Sequence, residues 1–234
     1  MRFEVPLQSV KLLRRYKRFL ADVQWPDGRV ETVHCPNSGS MKGCVGEGWD
    51  ARISDSGNPA RKLRFTLEMV HNGRCWIGVN TQRPNQVAAE ALAEGRLAPL
   101  AGFTQVRREV RWGEHSRIDL VASNGTRDCY VEVKNVTLVS SDGCYAFPDA
   151  VTTRGRKHLA ELQAILAAGH RAAMLFVVQR SDGTHFRPAV EIDPEYARAL
   201  GEAAAAGVEL LVAMATVTPE AIALTGQLLP YVLS

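Results

Sequence analysis

No apolar run in this 234-residue chain approaches the ~18 residues of a membrane span, so no membrane partner is expected. The five cysteines (Cys35, Cys44, Cys75, Cys129, Cys144) are odd in number and form no C-x-x-C pair. A zinc site or disulfide framework therefore has little support, and a reducing cytoplasm is the expected compartment. Met1-Arg2-Phe3-Glu4-Val5-Pro6 has no apolar h-region and carries an early acid, so a secretory signal is not expected. Internal repeats and low-complexity tracts are missing. So is a helix-turn-helix pattern, which argues against sequence-specific promoter reading. Charge of one sign is not in great excess either: 28 Lys+Arg against 25 Asp+Glu leave a net +3. That sum is too small to indicate a nucleic-acid partner, and the distribution of charge says more.

What is present is an ordinary globular composition, 46% hydrophobic and 23% charged, in a chain long enough for two compact units. The first ~80 residues read as short strands and tight turns. Arg15 to Gln24 is expected as a strand, turned by Trp25-Pro26-Asp27-Gly28 into Val30 to His34. Leu63–Val70 and Cys75–Asn80 follow as strands around His71-Asn72-Gly73-Arg74. This pattern suits a small OB-like β-barrel over 1–81. Lys11, Arg14, Arg15, Lys17 and Arg18 crowd one stretch, interleaved with Tyr16 and Phe19. Cations for phosphates and rings for stacking make a nucleic-acid groove. On a barrel strand, however, Phe19 is expected to face the core and only alternate cations share a surface. Asn37, Ser38 and Gly39 form a polar loop suited to phosphates through backbone N–H groups, or a plain turn.

From residue 82 to 234 the pattern becomes mixed α/β. A helix is expected from Pro84-Asn85 through Ala93, then strands near Val106–Arg111, Arg117–Ala122 and Tyr130–Val136. A second helix runs from about Arg154 to Ala168, a buried strand over Ala172–Val178, a third helix from Asp193 to Gly207, and a last strand at Val208–Ala215. In the middle lie Asp119 and Glu132-Val133-Lys134. Side chains alternate along a strand, so Glu132 and Lys134 share one face, and the Ser123-Asn124-Gly125-Thr126 turn brings Asp119 level with Glu132. Two carboxylates are suitable oxygen ligands for Mg2+ or Mn2+, and an adjacent ammonium can neutralise charge developing on a phosphoryl group. A cross-strand ion pair is the bland alternative. Ile118, Leu120, Val131, Val133 and Val136 mark interior strands, which seldom carry three ionisable groups without function.

The order helix, three strands, helix, strand with Asp119 before Glu132-x-Lys134 resembles the PD-(D/E)xK nuclease core. The whole chain is similar to the sugar fermentation stimulation protein A family. The matching segments are Arg15-Tyr16-Lys17-Arg18-Phe19, His34-Cys35-Pro36-Asn37-Ser38-Gly39, Ser116-Arg117-Ile118-Asp119, Tyr130-Val131-Glu132-Val133-Lys134 and Phe147-Pro148-Asp149-Ala150-Val151-Thr152, continued by Arg154-Gly155 and Lys157-His158-Leu159. The resemblance implies an OB-like domain, a nuclease-like domain and DNA binding with little sequence preference. It makes Asp119 and Glu132 metal ligands and Lys134 the electrostatic catalyst. It also suggests an acid from the first helix, for which Glu90 and Glu94 are candidates. Arg14, Arg15, Lys17, Arg18, Asn37, Ser38, Arg154, Arg156 and Lys157 become the expected DNA contacts, the last three in a helix first turn where a docked phosphate would offset the unfavourable dipole. Asp149 reads as a ligating carboxylate or a turn residue. The competing reading is a catalytically silent DNA-binding regulator of sugar metabolism; oligomeric state is not legible.

Overall fold

The structure, a computed structural model, describes residues 1–113 and 116–233. Its first half contains β1 (Gln8–Tyr16), β2 (Leu20–Gln24), β3 (Val30–His34), β4 (Trp49–Asp55), β5 (Phe65–His71) and β6 (Trp76–Gly78). Alternation along these strands sends Val10, Leu12, Ala21, Val23, Val33, Ala51, Ile53 and Leu67 into one core. The spatial order β3-β2-β1-β4-β5-β6, with β3 also pairing with β5 at His34↔Thr66, closes the first five strands into an OB-like barrel.

One expected element divides in two. The segment Arg15–Gln24 is a hairpin rather than one strand, because Lys17 and Arg18 adopt left-handed backbone (φ 47° and 62°) between β1 and β2. Neither is glycine or asparagine, so the usual sign of such a turn is missing. Phe19, at the end of that turn, is 47% exposed instead of facing the core.

The second half runs α1 (Pro84–Ala93), β7 (Gln105–Trp112), β8 (Ser116–Ser123), β9 (Asp128–Val136), β10 (Leu138–Val139), β11 (Cys144–Phe147), α2 (Thr153–Ala167), β12 (Arg171–Val178), β13 (His185–Pro188), α3 (Pro194–Ala205), β14 (Glu209–Val217) and β15 (Ile222–Leu228). Its main sheet has the order β15-β14-β12-β9-β8-β7. Strands β9, β12 and β14 are parallel, as crossovers through α2 and α3 require. Strand β12, buried from Ala172 to Val178, shows both faces: Ala173, Leu175 and Val177 pack with Val87, Ala91 and Leu92 of α1, while Met174, Phe176 and Val178 pack with Leu159, Leu162 and Leu200 of α2 and α3. Thr152 caps α2 by accepting from Gly155 N, and Asp193 caps α3 by accepting from Tyr196 N.

The two units are joined along several elements. Gly78 N donates to Gln179 O (2.9 Å), Asn72 Nδ2 to Asp182 Oδ2 (2.8 Å) and Met41 N to Asp149 Oδ2 (3.2 Å). At Gly78 an added Cβ would lie 2.5 Å from Gln179 Oε1, so a larger residue there would displace that side chain. Residues 1–3 bond to the α/β unit: Met1 N donates to Ile222 O (2.8 Å) and Phe3 N to Glu220 O (3.1 Å).

Candidate functional site

A cleft of about 570 Å³ lies where the barrel meets the α/β unit. Arg18, Asn37, Ser38 and Gly39 contribute one wall; Phe147 to Thr152, Arg154 and His158 contribute the other; Asp119, Glu132 and Lys134 form part of its lining. Strand geometry explains the gathering of the last three. Strands β8 and β9 pair antiparallel through Leu120↔Val131, which sets Asp119 opposite Glu132 in the same register. No ladder partner follows, and Val133 N instead donates to Asp119 Oδ2 (2.9 Å). Asn85 Nδ2, in the first turn of α1, donates to Asp119 Oδ1 (2.9 Å).

Glu132 is 1% exposed. Its Oε1 accepts from Lys134 Nζ at 2.7 Å and faces His158 Nδ1. Arg154 Nε donates to His158 Nε2 (3.2 Å), while His158 Nδ1 lies beside both Glu132 Oε1 and Lys134 Nζ (3.0 Å). Burial pushes the Glu132 carboxyl up, but the His158 hydrogen bond and the Lys134 charge outweigh it and hold the group below its ordinary value. Asp119 moves the other way, raised first by burial and then by the neighbouring Glu132 charge. His158, which the sequence marks only through the Lys157-His158-Leu159 segment of the resemblance, reaches Glu132 from α2 one turn after Arg154.

The donor set suits a divalent cation. Glu132 Oε2 is buried without a hydrogen-bond partner, and a cation between Asp119 and Glu132 would relieve the repulsion that raises Asp119. Among the described residues no group of three or more His, Cys, Asp or Glu side chains forms a metal cage. Glu90 is not brought to the cleft: it pairs with the terminal ammonium of Met1 and accepts from Gln86 Nε2. The four-residue spacing that paired it with Glu94 fixes a helix face but not what that face meets. Asn85, one turn earlier, is the α1 residue at the site.

The expected DNA contacts divide. Lys17 and Arg18 are exposed and their side chains have no partner among the described residues. Arg14 pairs with Asp22 (2.8 Å). Arg15 braces the loop opposite, donating to the carbonyls of Asn37 (2.8 Å), Gly39 (2.9 Å), Ser40 (3.3 Å) and Arg18 (3.1 Å). Asn37 is buried and structural, with Nδ2 on Val79 O and Oδ1 accepting from Gly39 N, whereas Ser38 is exposed on the cleft wall. Arg154 lines the cleft, but Arg156 pairs with Asp193 (3.2 Å) and Lys157 with Glu161 (3.5 Å). Asp149 fastens the loop across the gap, accepting from Ser40 Oγ and Met41 N; a Cβ on Gly39 would lie 2.4 Å from its Oδ2. Arg15→Ala is therefore expected to lower unfolding stability by roughly 1–3 kcal/mol through the freed carbonyls. Thermal denaturation checks this, and an unchanged melting temperature would remove the bracing role.

An OB-like barrel joined to a mixed α/β unit, with a carboxylate-and-lysine cleft at the junction, is the class of protein this fold and site define. Two family models divide the chain in the same way: the SfsA N-terminal OB domain matches residues 13–79, and the sugar fermentation stimulation protein RE domain matches residues 82–221. The chain belongs to the sugar fermentation stimulation protein family. It is 54% identical over 228 residues to the sugar fermentation stimulation protein homolog of Geotalea uraniireducens, covering 97% of this chain and 98% of that one. The homolog of Acidithiobacillus ferrooxidans is 48% identical over 221 residues, with 94% and 95% covered. A solved structure, Pyrococcus furiosus SfsA in complex with Ca2+, is similar at TM-score 0.88 and 25% identity, covering 99% of this chain and 98% of that one.

Proposed function

We propose that this protein binds DNA with little sequence preference and carries a divalent-metal-dependent phosphodiesterase site of the PD-(D/E)xK type. The observation that carries the reading is the meeting of Asp119, Glu132 and Lys134 in one cleft, with Glu132 Oε2 left unpartnered. The Ca2+ named with the Pyrococcus furiosus relative adds support for a cation at an all-oxygen site. Five free thiols and the absence, among the described residues, of any helix long and apolar enough to cross a membrane fit a cytoplasmic placement.

Asp119 and Glu132 would hold Mg2+ or Mn2+. Bound there, the cation supplies Lewis acidity toward a phosphoryl oxygen and an attacking water. Lys134 stands beside Glu132, where its ammonium offsets negative charge that grows on the phosphoryl group. His158, held by Arg154, keeps Glu132 oriented and ionised. Arg18 and Arg154 supply phosphate contacts on opposite walls.

Labelled DNA incubated with Mg2+ or Mn2+ tests the reading. Cleavage by the wild type that EDTA and Glu132→Gln abolish is the expected result. No cleavage, with DNA binding intact, would replace the enzyme by a silent DNA-binding regulator. Glu132→Gln is expected to weaken cation affinity more than folding; collapse of the fold would make the cluster a structural ion pair.

A further inference from the structure

The two walls of the cleft belong to different units, and hydrogen bonds tie them together. Asp149 on the α/β wall accepts from Ser40 and Met41 of the barrel loop, and Arg15 holds the same loop by three carbonyls. The open gap of about 570 Å³ is on the scale of one or two nucleotides. Arg18 lines the cleft and its side chain has no partner among the described residues, and Phe19, the next residue in the chain, is 47% exposed. Val151, on the opposite wall, is 69% exposed. A solvent-facing aromatic next to an unpaired cation is the pairing that holds an unstacked base and its phosphate.

We infer that the cleft takes a single nucleic-acid strand, with Phe19 stacking on an unpaired base and Arg18 contacting the adjoining phosphate. The inference deepens the phosphodiesterase reading and rests on it for the chemistry, but strand choice can be read without cleavage.

Fluorescence anisotropy in EDTA, with the full chain and a labelled 20-nucleotide oligo-dT or the same strand annealed to oligo-dA, makes that separation. Single-strand affinity at least ~10-fold above duplex affinity is expected. Phe19→Ala should weaken single-strand binding roughly 5- to 100-fold with no change in salt slope, because a stacking contact and no charge is lost. Arg18→Asn, chosen because asparagine tolerates the left-handed backbone, should flatten the slope by about 0.7. Equal or tighter duplex binding, no saturable binding of either form, or an unaltered Phe19→Ala affinity would each overturn the inference. Failure of cleavage alone, with the strand preference intact, would count against the phosphodiesterase reading only.

Discussion

Asp119→Asn is expected to abolish saturable Mg2+ or Mn2+ binding and, at the same time, to raise the melting temperature of the metal-free protein. The two effects share one cause. Asp119 is buried beside a second buried carboxylate, and both circumstances disfavour its ionised form. Asparagine retains an oxygen for Val133 N, and Asn85 can rotate its amide to accept from the new NH2, so the local hydrogen bonds survive. Removing the charge should therefore raise the melting temperature of the metal-free protein. Because the Asp119 pKa is raised, its penalty is absent when both folded and unfolded states are protonated, and develops as pH rises through the ordinary aspartate value toward the raised one. The gain of the variant should thus be present at neutral pH and vanish below about pH 4. Glu132 has the opposite sign. Its lowered pKa contributes stability above the ordinary glutamate value, lost as pH falls through the folded one. Isothermal calorimetry and a pH series of melting curves check both halves. A variant that binds Mg2+ as the wild type does, or is less stable at neutral pH, would remove Asp119 from the cation site.

Lys134→Ala should leave cation binding intact, or tighten it, while lowering cleavage by about 10²–10³-fold, the range typical of losing one preorganised electrostatic group. The ammonium competes with any cation for Glu132, so its removal frees a ligand. It also leaves a buried carboxylate with His158 as its remaining side-chain partner among the described residues. The metal-free variant should accordingly be destabilised by up to about 3–5 kcal/mol, and Mg2+ should restore much of that loss. Single-turnover cleavage at saturating metal separates the catalytic effect from the affinity effect. Undiminished cleavage would mean that Lys134 is only a partner for Glu132.

Much of the arrangement follows from local pattern. Alternation along Tyr130–Lys134 and the Asn124-Gly125 turn suffice to put Glu132 and Lys134 on one face, near Asp119. The apolar run at Ala172–Val178 is a central strand because both its faces are covered. The helices starting at Pro84, Thr153 and Pro194 carry their own initiation signals, a proline at the first position or a capping side chain. Other elements were not readable. Strand β4, with only Ala51 and Ile53 fully buried, follows a glycine-rich loop and has little contrast with it. The short strands β10, β11 and β13 exist by pairing with each other, and nothing local requires them.

The sequence by itself determined the strand faces, the helix starts and the identity of the carboxylates and lysine, because these depend on contacts within a few residues. Only the tertiary structure decided which charges remain available. Five of the expected cationic contacts looked alike in the chain: Arg14, Arg15, Arg18, Arg154 and Arg156. In space Asp22 takes Arg14, backbone carbonyls take Arg15 and Asp193 takes Arg156, while Arg18 and Arg154 line the cleft. Glu90 likewise looked like a ligand until Met1, distant in sequence, proved to be its partner. An ionisable side chain is committed by whichever opposite charge or carbonyl the fold brings within about 3 Å, and that partner is set by long-range packing that no local pattern encodes.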